Sequence, residues 1–193
     1  MIIPRILAFG GSLRRDSLNQ QIAAIAAEGA RDTGAEVTLI SLRDFPMPVF
    51  DQDLESAHGM PAEAKRLKEL FLAADGLIIA SPEYNSSVTA ALKNVIDWVS
   101  RAESDDEPSI TALAGKTAVI LSASPGGFGG MRGLVHLRAI LGNIGITVLP
   151  DQIAIPSAHE VIMPDGTLSD PKQTEWVKKL GSTLTNHLKK LLA

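Results

Sequence analysis

Short apolar runs alternate with amphipathic helical patterns, and this alternation constrains the fold of the chain more than any other feature of its sequence. Residues 2–9 form an apolar run that is too short for a typical helix and stops at two glycines, which is typical of a strand buried on both faces. Similar runs predict four more strands, at residues 36–41, 76–81, 116–123 and 146–149. Apolar residues at helical spacing, with proline or glycine near several of the ends, predict helices at residues 17–33, 61–73, 89–101, 130–141 and 170–192.

Five strands that alternate with helices imply a parallel sheet covered by helices on both faces. Because crossover connections are right-handed, few topologies remain, and the flavodoxin-like strand order 2-1-3-4-5 is the natural one at this size. We therefore expect an α/β fold, a flavodoxin-like three-layer sandwich. No repeat or linker interrupts the pattern, so we also expect a single domain over residues 1–193. Residues 42–60 contain two prolines and are predicted to be irregular.

Composition excludes several classes of function. The net charge of −4 and a pI near 5.5 give no electrostatic footprint for nucleic acid. The absence of cysteine excludes disulfides, iron–sulfur clusters and thiol nucleophiles, and four scattered histidines predict neither a metal site nor a catalytic triad. The apolar runs are far shorter than the roughly 20 residues of a membrane span, and the N-terminus lacks a signal-peptide pattern, so we expect a cytoplasmic protein.

Ligands of such sheets bind outside the carboxyl ends of the strands, where three unusual loops are predicted. The first, residues 10–19, matches neither a dinucleotide fingerprint nor a P-loop, but it places hydroxyls and arginines at a helix N-terminus. Ser12, Ser17 and Asn19 can donate hydrogen bonds there, and Arg14 or Arg15 can add charge, which together suit one phosphate monoester. The alternative is that Ser17 only caps the helix and the arginines are solvated.

The other two loops suit a flat ligand. In the second, residues 81–89, successive backbone N–H groups after Pro82 could meet the pyrimidine edge of a flavin, with Tyr84 as an aromatic surface. In the third, residues 122–130, four glycines let the backbone approach a ring closely, and Phe128 could stack on it. The alternatives are an ordinary proline turn and a flexible loop without a ligand.

These loops resemble a known family. The strings GSLRRDSLN at 11–19, SPEYNSSVTAALKNVIDW at 81–98 and SASPGGFGGMRG with HLR at 122–138 are similar to the NADPH-dependent FMN reductases, which include bacterial quinone, chromate and azo-dye reductases. The resemblance implies an enzyme that binds FMN, uses NADPH or NADH as co-substrate and reduces a small-molecule electron acceptor by ping-pong hydride transfer. It further implies a homodimer or homotetramer, and no catalytic side chain, because the chemistry takes place at flavin N5.

The resemblance also assigns the cofactor contacts residue by residue. Phosphate contacts fall on the polar residues of the first loop, where Leu18 is a further cofactor contact, and ring contacts fall on the other two loops. The residues are Ser12, Arg14, Ser17, Leu18 and Asn19 for the first loop, Pro82, Glu83, Tyr84 and Asn85 for the second, and Ser124, Gly126 and Gly127 for the third.

The sequence departs from the family pattern at three positions and leaves other functions open. Ser86 replaces an aromatic residue, and Thr89 and Ala90 replace a proline–glycine pair, which leaves the acceptor preference undecided.

One alternative to the reductase is a flavodoxin-like electron carrier without its own small-molecule substrate. Another is a nucleotide- or phosphosugar-binding module without a redox role.

Two further expectations concern charged residues outside the three loops. Arg101 is predicted to pair with Asp97 one helical turn away. The acidic loop of Asp105, Asp106 and Glu107 is predicted to be solvated.

Overall fold

The computed structural model of the protein describes residues 2–104 and 106–193, and in this part of the chain five strands form one parallel sheet. The strand order is β2-β1-β3-β4-β5, which confirms the predicted topology. The strands are β1 (Arg5–Gly10), β2 (Glu36–Ser41), β3 (Gly76–Ala80), β4 (Thr117–Ala123) and β5 (Thr147–Ile155).

Helices cover both faces of the sheet. Helices α1 and α7 share a buried core with one face, and α3, α4 and α5 share a second core with the other. The helices are α1 (Leu18–Asp32), α2 (Gln52–His58), α3 (Ala62–Ala73), α4 (Ala90–Val99), α5 (Met131–Asn143), α6 (Ala158–Val161) and α7 (Pro171–Leu191). Among the described residues, no helix is both long and apolar enough to cross a membrane.

The strand β1 shows why the apolar runs were informative. Its side chains alternate between the two cores: Ile6 and Ala8 pack towards α1 and α7, whereas Leu7 and Phe9 pack towards α3 and α4. A strand buried on both faces must be apolar at every position, so it is visible as a continuous run in the sequence.

The prediction for β5 was wrong at its carboxyl end, because the strand continues through Pro150 to Ile155. The pairing with β4 is irregular at this point: Ala118 lies opposite Val148, and Ile120 lies opposite Gln152. The irregularity accommodates a proline, which has no N–H group to give to a regular ladder. The extension brings the carboxyl end of β5 beside the third loop.

Helix α2 and part of the acidic loop also differ from the predictions. Helix α2 lies in the stretch predicted to be irregular and buries none of its residues, so no apolar periodicity marks it. Glu107 is not solvated: its carboxylate lies 2.6 Å from the buried Nζ of Lys68, and this hydrogen bond lowers the pKa of Glu107. Asp106 is exposed, as predicted, and Asp105 lies outside the described residues.

Helices α1 and α7 cross at close contact. A Cβ atom at Gly181 would lie 1.9 Å from the carbonyl oxygen of Ala26, and one at Gly29 would lie 2.0 Å from that of Lys178. The two glycines therefore let the backbones approach more closely than any side chain would allow. This contact fixes α1, whose N-terminus faces the first loop.

Candidate functional site

The three loops predicted to bind a ligand leave the carboxyl ends of the adjacent strands β1, β3 and β4 and enclose a common cavity of about 70 Å³. Nine of the twelve predicted site residues line this cavity, together with Ala123 and Pro125, which were not predicted. Asn85, Gly126 and Gly127 do not line it. The nine are Ser12, Arg14, Ser17, Leu18, Asn19, Pro82, Glu83, Tyr84 and Ser124.

The first loop presents hydroxyl groups to the cavity at the N-terminus of α1. The Oγ of Ser17 caps the helix by accepting a hydrogen bond from Gln20 N at 3.2 Å, and the Oγ of Ser12 accepts one from Arg14 N at 3.2 Å. Each hydroxyl still has its own proton to donate, so the capping role of Ser17 does not exclude a phosphate contact. Arg14 is exposed and makes no ion pair with any described carboxylate.

Asn19 connects the first loop to the third. Its buried side-chain amide donates to the carbonyl of Ala123 at 2.7 Å and accepts from Ala123 N at 3.0 Å. The resemblance had assigned Asn19 to the phosphate, but these two bonds engage one amide hydrogen and the carbonyl oxygen. One amide hydrogen remains for a ligand.

The second loop is a tight two-residue turn. Tyr84 N and Ser87 N each donate to the other residue's carbonyl at 3.0 Å, and Asn85 and Ser86 both have positive φ, 49° and 64°. This is the geometry of a type I′ turn, which is rigid. Because Tyr84 N and Ser87 N are used inside the turn, the backbone N–H groups of residues 83–87 without a described partner are those of Glu83, Asn85 and Ser86.

Glu83 directs its carboxylate away from the cavity. Oε1 accepts from Arg132 Nε at 2.8 Å and Oε2 accepts from Gly133 N at 3.1 Å, in the first turn of α5. Burial alone would raise the pKa of Glu83, but the bonds from Arg132 and Gly133 and the charge of Arg132 hold that pKa below its ordinary value. Glu83 can therefore contact a ligand in the cavity through its backbone and not through its carboxylate.

The third loop is anchored and not flexible. Ser124 N donates to the carbonyl of Ile155 at 3.1 Å, and the carbonyl of Ser124 accepts from Ala158 N at 3.0 Å. Gly129 and Gly130 are needed for folding, because both have positive φ and a Cβ at Gly130 would lie 1.9 Å from the Oγ of Ser122.

The two glycines that the resemblance had assigned to the ring have room around them. The nearest atom to a Cβ at Gly126 is the Oγ of Ser124 at 3.6 Å, and a Cβ at Gly127 would meet nothing within 4 Å. Their open surfaces are therefore available to a neighbouring ligand.

Side chains join the three loops in pairs. Thr89 Oγ1 donates to the carbonyl of Gly11 at 2.5 Å and links the first and second loops, Asn19 links the first and third, and Glu83 with Arg132 links the second and third. Sequence reasoning missed the roles of Thr89 and Arg132. No local pattern signals them, since the bonded partners lie 78 and 49 residues apart.

The small cavity opens into larger ones. A neighbouring cavity of about 370 Å³ shares Ser12, Arg14 and Tyr84 with it, and a third of about 360 Å³ continues past Leu13 and Ala91. Small-molecule sites commonly measure about 300–1,000 Å³ and are mostly apolar. Hydroxyls and a cation at a helix N-terminus, together with free backbone N–H groups in the second loop and open glycines in the third, fit a phosphorylated planar cofactor such as FMN.

Arg101 does not behave as predicted. Its Nε pairs with Glu55 Oε1 at 2.8 Å, and Asp97 pairs instead with Lys93 at 2.6 Å. The guanidinium therefore ties α4 to α2.

His136 lies nearer the site, with Nδ1 2.9 Å from Ser87 Oγ. The described residues contain no group of three or more His, Asp or Glu side chains that could hold a metal ion.

The strand order and the three loops around a phosphate-sized cavity define a flavodoxin-like flavoprotein. A model of the family described as NADPH-dependent FMN reductase matches residues 4–160, and the chain belongs to this family. It is an FMN-dependent oxidoreductase with NAD(P)H as co-substrate. The family assignment favours an enzyme over the electron carrier and the nucleotide-binding module.

Individual relatives agree with this assignment. An NAD(P)H-dependent FMN reductase from Pseudomonas aeruginosa is 35% identical over 176 residues, which cover 91% of this chain and 90% of that protein. A quinone reductase from Escherichia coli is 39% identical over 137 residues, 71% of this chain and 69% of that protein. Among solved structures, the flavoenzyme NAD(P)H:(acceptor) oxidoreductase from Paracoccus denitrificans matches with a TM-score of 0.80 and 25% identity, over 97% of this chain and 98% of that one.

Proposed function

We propose that the protein is an NAD(P)H:quinone reductase that binds FMN between its three loops and works by a ping-pong cycle. When bound, FMN supplies the redox chemistry, by accepting hydride from NAD(P)H and passing the electrons to the quinone. The convergence of the three loops around one cavity is the observation that carries the proposal. The side chains bind and orient, and none of them is required as an acid or base.

The first loop would hold the phosphate. The hydroxyls of Ser12 and Ser17 and the guanidinium of Arg14 line the same cavity at the N-terminus of α1, where the free N–H groups and the helix dipole favour an anion. Asn19 would donate its remaining amide hydrogen to the phosphate, and the side chain of Leu18 would form an apolar part of the cavity wall.

The second and third loops would hold the ring. The unpaired N–H groups of Glu83 and Asn85 are donors for carbonyl groups at the pyrimidine edge, and donors near N1 and O2 would stabilise the negative charge that reduction adds there. Pro82 and Tyr84 would flank the ring on one side. On the other side Ser124, Gly126 and Gly127 would present open backbone to it.

A quinone is the acceptor that this site suits best. Seven relatives are named for quinones, including the Escherichia coli protein and a 2-hydroxy-1,4-benzoquinone reductase from a Burkholderia species that is 34% identical. The cavity of about 370 Å³ beside Tyr84 is mostly apolar and open, as a planar acceptor requires. Either NADH or NADPH would serve as the reductant.

The proposal extends to the whole molecule. Residues 1–193 would form a single FMN-binding domain, because α7 packs on α1 and on the same sheet that carries the loops. We propose a homodimer or homotetramer, supported by exposed apolar side chains near the site, including Leu13, Phe128 and Val135. We also propose a cytoplasmic location, where NAD(P)H is available as co-substrate.

The test is steady-state kinetics with purified protein loaded with FMN. We expect oxidation of NADH or NADPH that depends on 1,4-benzoquinone, with parallel double-reciprocal lines when both substrates are varied. Protein that binds FMN but shows no turnover with quinones would be an electron carrier. Protein that retains no yellow flavin after incubation with FMN and removal of the unbound FMN would overturn the proposed function altogether.

A further inference from the structure

An ion pair between a nearly buried carboxylate and a half-exposed guanidinium lies directly behind the proposed ring site. The carboxylate of Glu83, whose side chain is 7% exposed, lies 2.5 Å from Arg132 Nη2. Glu83 belongs to the second loop and lines the cavity, whereas Arg132 belongs to the first turn of α5, which follows the third loop. The pair therefore spans the two loops that would enclose the flavin ring.

Arg132 contacts the third loop as well. Its guanidinium carbon lies 5.2 Å from the ring centroid of Phe128, within range for a cation–π contact. Phe128 is 60% exposed, and the guanidinium of Arg132 lies over its ring. A single side chain thus holds the second loop through Glu83 and touches the third loop through Phe128.

The carboxylate of the pair also accepts a hydrogen bond at the N-terminus of helix α5. Gly130 is the N-cap residue of α5 and has no side chain to bind the first N–H groups of the helix. The Oε2 of Glu83 accepts from Gly133 N at 3.1 Å and satisfies one of these groups from another loop. Because burial makes an unpaired carboxylate costly, Arg132 stabilises Glu83 in this position together with the N–H group of Gly133.

We propose that Arg132 is a positioning residue that acts through Glu83: it fixes the second loop against the third and keeps the charge beside the bound flavin neutral, and so sets both the affinity for FMN and its reduction potential. This inference rests on the proposed placement of FMN between the loops. Neither side chain needs to touch the cofactor. The effect is transmitted by the position of the Glu83 backbone and by the net charge of the pair.

The charge argument predicts shifts of opposite sign. Reduction of FMN adds negative charge to the ring, so an unpaired carboxylate nearby disfavours the reduced form and an unpaired guanidinium favours it. Arg132→Met leaves the carboxylate alone and should lower the reduction potential. Glu83→Gln leaves the guanidinium alone and should raise it. The double variant has no charge at either position and should return towards the wild type.

The expected size follows from the ratio of dissociation constants for oxidised and reduced FMN. We expect each single variant to change this ratio by about threefold to tenfold, equivalent to roughly 14–30 mV for a two-electron couple. Arg132→Met should also weaken binding of oxidised FMN by about tenfold through displacement of the second loop, since each 1.4 kcal/mol is a factor of ten. Arg132→Lys retains the charge and should restore most of the potential.

Arg138→Met is the matched control. Arg138 lies on the same helix, but its guanidinium donates to the carbonyls of Val148 and Leu149 at 3.0 Å, away from the three loops. This variant should lower the melting temperature of the apoprotein without changing the affinity for FMN or its potential. A purely structural role of Arg132 would give the same result as this control.

The experiment combines FMN titration of the apoproteins, spectroelectrochemical titration of the holoproteins and melting curves. Opposite shifts in the two single variants, with recovery in the double variant, would support the proposal. Shifts of the same sign, or none larger than that of Arg138→Met, would overturn it. Failure of the wild-type apoprotein to bind FMN would instead overturn the proposed site itself, so the two failures are distinguishable.

Discussion

Replacement of Arg14 by alanine is expected to weaken FMN binding by about tenfold to a hundredfold. Arg14 lines the cavity beside the hydroxyls of Ser12 and Ser17, and no described carboxylate competes for its guanidinium. A hydrogen bond to a charged group contributes about 1.5–3 kcal/mol, and each 1.4 kcal/mol is a factor of ten in affinity. Because Arg14 is exposed, water screens part of its charge, which favours the lower half of that range.

The assay is fluorescence titration of the apoprotein with FMN at low and at high salt. The adjacent Arg15→Ala variant is the control, because Arg15 is also exposed but does not line the cavity. We expect Arg15→Ala to change the dissociation constant by less than about threefold. The difference between the two variants should shrink at high salt. Equal effects of the two substitutions, or an Arg14→Ala dissociation constant within twofold of the wild type, would refute the placement of the phosphate.

Three further outcomes are expected. Asn19→Leu leaves two buried backbone groups of Ala123 without partners and should lower the free energy of unfolding by about 2–4 kcal/mol in urea titrations. Gly181→Ala places a methyl group 1.9 Å from the carbonyl of Ala26 and should cost about 1–3 kcal/mol or more, whereas Gly142→Ala on α5, with open space around it, should change the same quantity by less than about 1 kcal/mol. The pKa of Glu83 is lowered by folding, so its stabilising effect is full above the unfolded pKa of about 4.3 and is lost as the pH falls through the folded value. Melting curves between pH 7 and pH 3 should therefore show a steeper acid loss for the wild type than for Glu83→Gln, and parallel curves would contradict this.

The sequence predicted the sheet well because its central strands are buried on both faces. Leu7 and Phe9 face one core while Ile6 and Ala8 face the other, so a strand in the middle of the sheet has no polar positions to break its pattern. The edge strand β5 lacks this property. It contains Pro150 and exposed polar residues, and its last six positions could not be recognised as strand.

The sequence predicted which loops form the site, but it predicted the side-chain contacts within the site less well. Ser12, Ser17 and Arg14 lie where their residue types suggested, because hydroxyls and a cation at a helix N-terminus have a local explanation. Glu83 and Asn19 were expected to face the ligand, yet their side chains bind Arg132 and Ala123. Such partners are brought together only by the folded sheet, and a single sequence gives no sign of them.

The links between the loops explain how a site built from glycines and turns can be ready for its ligand. Thr89 and Asn19 each tie two of the three loops together by hydrogen bonds that need no ligand, and Glu83 ties the second loop to the first turn of α5, directly after the third loop. A loop that is already ordered loses little conformational entropy on binding, so more of the interaction energy remains as affinity. The hydroxyl of Thr89 both caps α4, by accepting from Leu92 N, and donates to the carbonyl of Gly11. A residue without a hydroxyl at this position would lose both bonds, and with them this link between the first and second loops.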